Sequence, residues 1–269
     1  MTQLTQILGR HAALLRHLTL IATALLVLGI VSWLPALPQP AWYHDFADQR
    51  ALLGIPHFHN VASNLAFLWV GLWGLWQLSG GRTMLQHPVE YGLWRGFFFS
   101  VCLIALGSSY YHLAPDNHTL IWDRLAIAIA FAYLLSIALA ESIHPRLGKW
   151  ASLVLLPYAI LSVLYWWWSE QAGAGDLRPY LLLQGYGLLL LPLLYALYRG
   201  HYNRRGYMHI TVLLYLLAML SEWLDTQILE LSGFISGHTL KHLLVALSIY
   251  SLIRMLQRRQ PRTAHPRQP

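Results

Sequence analysis

The chain has 269 residues, 57% of them hydrophobic and only 11% charged. Soluble globular domains carry about 25% charged residues, so an ordinary water-facing surface is excluded. The net charge of +7 is scattered between apolar runs rather than gathered on a basic face with aromatics, so no nucleic-acid partner is expected. The single cysteine, Cys102, lies inside an apolar run, which excludes a disulfide framework and a cysteine-based zinc site.

A segment that crosses a bilayer must satisfy its own backbone hydrogen bonds as a helix or a closed barrel, and the Leu-rich runs here lack barrel alternation. A crossing needs roughly 17 to 25 mostly apolar residues. Eight segments qualify: Leu18 to Leu34, Val61 to Leu78, Tyr91 to Leu113, Leu120 to Ala140, Trp150 to Trp168, Tyr180 to Tyr198, Tyr207 to Leu224 and His238 to Leu256. The links are turn chemistry, such as Pro35-Ala36-Leu37-Pro38-Gln39-Pro40 and Ala172-Gly173-Ala174-Gly175. None is long enough for a separate soluble domain, and no repeat at a fixed period is present. The predicted class is an all-α polytopic membrane bundle, with both termini on the side richer in Lys and Arg. Alternate links carry 14 basic residues on one side against 4 on the other, namely Arg50, Arg124, Arg178 and Lys241. Positive charge marks the cytoplasmic side, so both termini are expected there. Arg10 and Arg16 ahead of a short apolar stretch resemble a signal peptide, but the Pro-rich link lacks a good cleavage site, so the first segment reads as a retained helix.

Ionisable side chains at membrane depth are costly, and each is by default a functional hypothesis. Near the end of the third span, Ser108 and His112 lie four residues apart and share a helix face. After a short link, Asp123 falls in the first turn of the fourth span and returns to the same depth. Glu222 and Asp225 close the seventh span, and His238 and His242 open the eighth, again four apart. His112, Asp123, His238 and His242 therefore meet on the non-cytoplasmic side. Three neutral imidazoles match a catalytic zinc site with a fourth position for water. Zinc lowers the pKa of bound water to about 7 and polarises a carbonyl. Asp123 fits a general base, and Ser108 a hydrogen-bond donor to a developing oxyanion. Together they describe a metal-assisted amide hydrolase.

Each piece alone has a structural reading. Two histidines can hydrogen-bond neighbouring helices, Ser108 can be a packing serine, and Asp123 can favour a helix N-terminus or pair with Arg124. Among the remaining polar groups, Tyr110, Tyr111, Glu222 and Asp225 are candidate partners for the histidine rings. Lys241 faces away from the histidine side on a helical wheel and is expected to snorkel outward. His44, His57, His59 and His118 are reserve ligands on the same side. Trp166, Trp167 and Trp168 read as an interfacial belt.

Ser108-x3-His112, Asp123 eleven residues later and His238-x3-His242 on the last span resemble the signature of the alkaline ceramidase family, part of a wider superfamily of seven-helix membrane hydrolases that includes the adiponectin and progestin receptor relatives. Asn60-x2-Ser63-Asn64 and Trp223-x-Asp225 add to the likeness, which covers roughly residues 42 to 256. It divides the chain into an extra amino-terminal helix with its Pro-rich link (1–41), a seven-helix core (42–256) and a basic tail (257–269). The resemblance implies an intramembrane zinc amidase that cuts the N-acyl bond of ceramide or a related N-acyl lipid taken from the bilayer. His112, His238 and His242 would hold the metal, with Asp123 as base and proton shuttle and Ser108 near the oxyanion. Family members also bind calcium through an acidic segment ending in a glutamate. Here Asp45 and Asp48 remain but His57 stands near that glutamate, so calcium is doubtful. Three other readings compete. A receptor-like lipid sensor with a structural zinc keeps the same site. A haem protein would use paired histidines as axial ligands but leaves Ser108 and Asp123 unexplained. A transporter would be expected to show internal repeats and broken helices.

Overall fold

The computed structural model describes residues 3–262; residues 263–269 of the basic tail, including Arg267, and the side chain of Arg10 lie outside the described set. Among the described residues ten α-helices follow in chain order: α1 (Gln3–Trp33), α2 (Phe58–Ser63), α3 (Leu65–Ser79), α4 (Pro88–Leu113), α5 (Asn117–Ser142), α6 (Pro145–Gln171), α7 (Arg178–Leu197), α8 (Gly206–Trp223), α9 (Asp225–Ser232) and α10 (Gly237–Arg258). Among the described residues there is no strand, only two isolated bridges. Among the described residues seven helical spans are long and apolar enough to cross a membrane, or eight when the bent pair α8 and α9 is counted as one span. The chain is an all-α, multi-pass membrane bundle.

Helix boundaries follow from local chemistry. Proline occupies the first turn of α4, α6 and α7, where its missing N–H costs nothing. Asp116 and Thr119 form a reciprocal capping box at the start of α5. Ser236 accepts from the Thr239 N–H and starts α10. Two expected spans carry an irregularity, one within the span and one at its end. The second divides at Asn64 into α2 and α3. The seventh turns by 82° after Trp223, so α9 runs off at a steep angle to α8.

α5 is the central helix, packed by α4, α6 and α7, and the side chains of Leu120, Ala128, Ala132 and Ile137 on it are fully enclosed. Outer faces carry exposed Leu72, Leu153, Val154, Leu213 and Leu216, an arrangement suited to lipid rather than water. α1 lies on the periphery, where the Tyr198 hydroxyl meets His17 Nδ1 at 2.8 Å and Leu20 packs on the core. At the end of the bundle holding both described chain ends, Glu141 accepts from Arg259 at 2.7 Å and from the Trp94 indole at 2.8 Å. At the opposite end two glycines bring helices close enough to build a site. A Cβ on Gly107 would sit 2.5 Å from the Trp122 carbonyl oxygen, and one on Gly237 only 1.9 Å from that of Ser221. Any larger residue would force α4 from α5, or α10 from α8.

Candidate metal centre

His112, from the last turn of α4, meets His238 and His242, from the first turns of α10. All three are buried, and each offers a ring nitrogen within 4.8 Å of the others. The ring centroids form a nearly equilateral triangle with sides of 4.9, 4.9 and 5.2 Å. Nε2 of His112 lies 3.2 Å from Nε2 of His238. A tetrahedral ion with metal–nitrogen bonds of 2.0–2.1 Å holds neighbouring ligand atoms about 3.3 Å apart, so these lone pairs stand where one cation can take both. The trio is able to hold a metal ion.

The rings are oriented from behind. Ser63 Oγ donates to the Asn60 carbonyl at 2.9 Å and lies 2.8 Å from His242 Nδ1. A hydroxyl has one hydrogen, so His242 Nδ1 must be the N–H partner, which leaves Nε2 with a free lone pair. His238 Nδ1 lies 3.4 Å from Glu222 Oε1, and Lys241 Nζ reaches the same oxygen at 2.5 Å. Asp225 works through the backbone instead: Oδ1 accepts from the His238 N–H at 2.6 Å and Oδ2 from the Ala47 N–H at 2.9 Å. His112 Nδ1 has no partner among the described residues. The buried Phe46 ring, from the link between α1 and α2, covers the centre at 4.6 Å from His112 and 4.5 Å from His238.

Ser108 and Asp123 are buried beside the trio, and with His242 they line one cavity of about 340 Å³. Its charged lining is Asp123, Arg124, Glu222 and Lys241; the rest is mostly apolar wall, including Val101, Ile104, Phe131 and Leu191, with Gln184, Thr211 and Ser248 among it. Long apolar pockets with a few convergent polar groups are typical small-molecule sites.

Several expectations change. Lys241 does not snorkel outward: its long stem bends from the helix flank into the cavity because Glu222 on α8 supplies a counter-charge there. α5 starts at Asn117, which places Asp123 beyond the first turn and removes the helix-dipole explanation. Trp166 is fully buried against Arg124, so only Trp168 of the three tryptophans is widely exposed. Tyr110 points outward, whereas Tyr111 is buried and its hydroxyl meets His44 Nδ1 at 2.9 Å. His118 packs near Trp167, and His57 and His59 lie around Asp48, so none of these joins the trio.

Asp48 shows what the acidic link does. Its two carboxylate oxygens are engaged by the Arg50 guanidinium at 2.8 and 2.6 Å, and His59 Nδ1 lies 3.0 Å away. The hydrogen bonds from Arg50 hold its carboxyl below the usual carboxylate range. Asp45 is exposed. Ser63, Phe46 and Arg124 are the site residues that sequence reasoning left without a role. The Asn60-x2-Ser63-Asn64 pattern was the available signal for the first; no periodicity announces the other two. The chain matches no protein-family model, no curated protein and no solved structure.

Proposed function

We propose that the chain is an intramembrane zinc-dependent amidohydrolase that cleaves the N-acyl bond of ceramide or a related long-chain N-acyl lipid to a fatty acid and a free amine. The observation that carries this reading is a cluster of three buried imidazoles, one of which, His242, lines the same apolar cavity as Asp123 and Ser108. Neither a packing role nor a purely structural metal calls for a carboxylate and a hydroxyl in the cavity wall next to the ligands. The resemblance to alkaline ceramidases, residue by residue at Ser108, His112, Asp123, His238 and His242, points the same way.

Zinc held by the three histidines would supply an acidified water and polarise the amide carbonyl. The rest falls to the chain. The apolar wall takes the acyl chain, at about 0.8 kcal/mol per buried methylene. Asp123 accepts a proton from the attacking water and returns it to the departing amine nitrogen. Ser108 donates a hydrogen bond to the carbonyl oxygen as its negative charge grows. Ser63 and Glu222 keep the His242 and His238 rings in register. By the charge asymmetry of the links, the site faces the non-cytoplasmic side and both termini are cytoplasmic.

Metal analysis of the purified protein, combined with mass spectrometry of N-acyl lipids incubated with it, tests the proposal. One zinc per chain and release of fatty acid are expected. Asp123→Asn should retain the metal and lose turnover. One zinc with no fatty acid released from any N-acyl lipid would overturn it in favour of a lipid sensor.

A further inference from the structure

Arg124 is a buried cation with no ion-pair partner among the described residues. It is 5% exposed and lines the cavity one residue after Asp123. Its guanidinium lies against the faces of Trp166 at 4.0 Å, Tyr180 at 5.2 Å and Tyr43 at 5.5 Å. Nη2 donates to the Gln39 side-chain oxygen, while Nη1 has no partner among the described residues. No carboxylate comes within ion-pair distance of it in the described set. Glu222 is held by Lys241 and His238. Glu170 accepts from the Gln39 N–H at 2.5 Å and the Trp166 indole at 3.2 Å. Asp123 precedes it on the same helix and lines the same cavity without contacting the guanidinium.

Aromatic faces offset part of the cost of burying this charge, and a neutral amide oxygen part of the rest. A buried charge with no carboxylate in contact and a spare N–H still favours an anion. Guanidinium groups pair best with planar oxyanions. The position selects which one. Arg124 and Asp123 line the same cavity, so an anion on Arg124 shares that cavity with an amide attacked beside Asp123. In an N-acyl amino acid the carboxylate is two bonds from the amide nitrogen.

We propose that Arg124 anchors a carboxylate on the amine side of the scissile bond, so that the site takes long-chain N-acyl amino acids in preference to neutral N-acyl lipids. This deepens the amidohydrolase reading and rests on it for turnover, though not for binding.

The test uses the full-length, zinc-loaded protein in zwitterionic nanodiscs. Titration calorimetry gives Kd for the uncleavable ketomethylene isosteres of N-palmitoylglycine and N-palmitoylethanolamine, which share an acyl chain and differ in charge. The carboxylate should bind at least about tenfold tighter, the scale of one charge-assisted hydrogen bond. Arg124→Gln should erase that preference by weakening the carboxylate ligand, and Arg124→Lys should keep part of it. Equal affinities in the native protein overturn the proposal even if the variants fail to fold. So does a preference that survives Arg124→Gln, which would place the carboxylate on the metal. Incubation with the two intact amides separates this idea from the one it rests on. A carboxylate preference lost in Arg124→Gln, with neither amide cleaved, sustains the anchor and sinks the amidase. Equal binding with both amides cleaved does the reverse.

Discussion

Ser63 offers the sharpest test of how the centre is built. Its hydroxyl hydrogen is committed to the Asn60 carbonyl at 2.9 Å, so its oxygen can only accept from His242 Nδ1 at 2.8 Å. In Ser63→Ala the Asn60 carbonyl keeps a donor, the Asn64 amide at 3.1 Å. His242 Nδ1 loses the Ser63 oxygen and keeps only the Asn60 carbonyl, which borders the ring and is already shared with the Asn64 amide, at a cost of about 1–3 kcal/mol. The ring can escape that cost by moving its proton to Nε2, which removes the lone pair a metal needs. Either route weakens metal binding. Loss of such a supporting hydrogen bond typically reduces affinity about 10- to 100-fold, or about 1.4 to 2.7 kcal/mol at 1.4 kcal/mol per decade. Competition with a zinc chelator of known affinity, on detergent-solubilised protein of unchanged helix content, reads this directly. An unchanged Kd for zinc in Ser63→Ala would refute the tautomer argument and with it the role given to His242 Nε2.

Other consequences are open to measurement. Ser108→Ala should slow amide hydrolysis by about 10²- to 10³-fold, as loss of one oxyanion donor does, with metal content intact; unaltered kinetics would return Ser108 to helix packing. Asp225→Asn replaces a carboxylate that accepts from two backbone N–H groups with an amide that can accept from only one. Thermal unfolding should reveal a loss of about 1.5–3 kcal/mol, the range for a hydrogen bond to a charged group. Asp48 supplies a pH dependence. Its folded pKa is depressed by Arg50, so its stabilisation is fully present above the ordinary carboxylate pKa of about 3.9 and is lost as pH falls through the lower folded value. Hydrogen exchange of the link at residues 45–57 should therefore stay constant from neutral pH down to that range once intrinsic rates are divided out, then rise. In Arg50→Gln the rise should begin at higher pH.

Span number and the ligand trio were legible because both rest on one-dimensional regularities. Runs such as Leu120 to Ala140 exceed the bilayer thickness, and a four-residue spacing puts His238 and His242 on one face whatever the neighbours are. Asp123 came with them because a short link returns α5 to the depth of His112. What failed needed a second helix. Lys241 sits on the flank of α10, and only the placement of Glu222 on α8 decides that its stem turns inward. Trp166 looks like its neighbours Trp167 and Trp168 until α5 brings Arg124 against it. The end of the seventh span at Leu224 was legible from hydropathy, whereas the 82° turn after Trp223 was not, because no proline or glycine marks it. Asp225 is used there: its carboxylate holds the Ala47 and His238 N–H groups rather than a histidine ring.

That carboxylate ties two parts of the centre to one anchor. Ala47 follows Phe46, whose ring roofs the imidazoles, and His238 is itself one of the imidazoles. Lifting the roof and shifting a wall therefore draw on the same pair of hydrogen bonds, and an opening wide enough to admit water from above is felt at once by the His238 end of the cation's cradle.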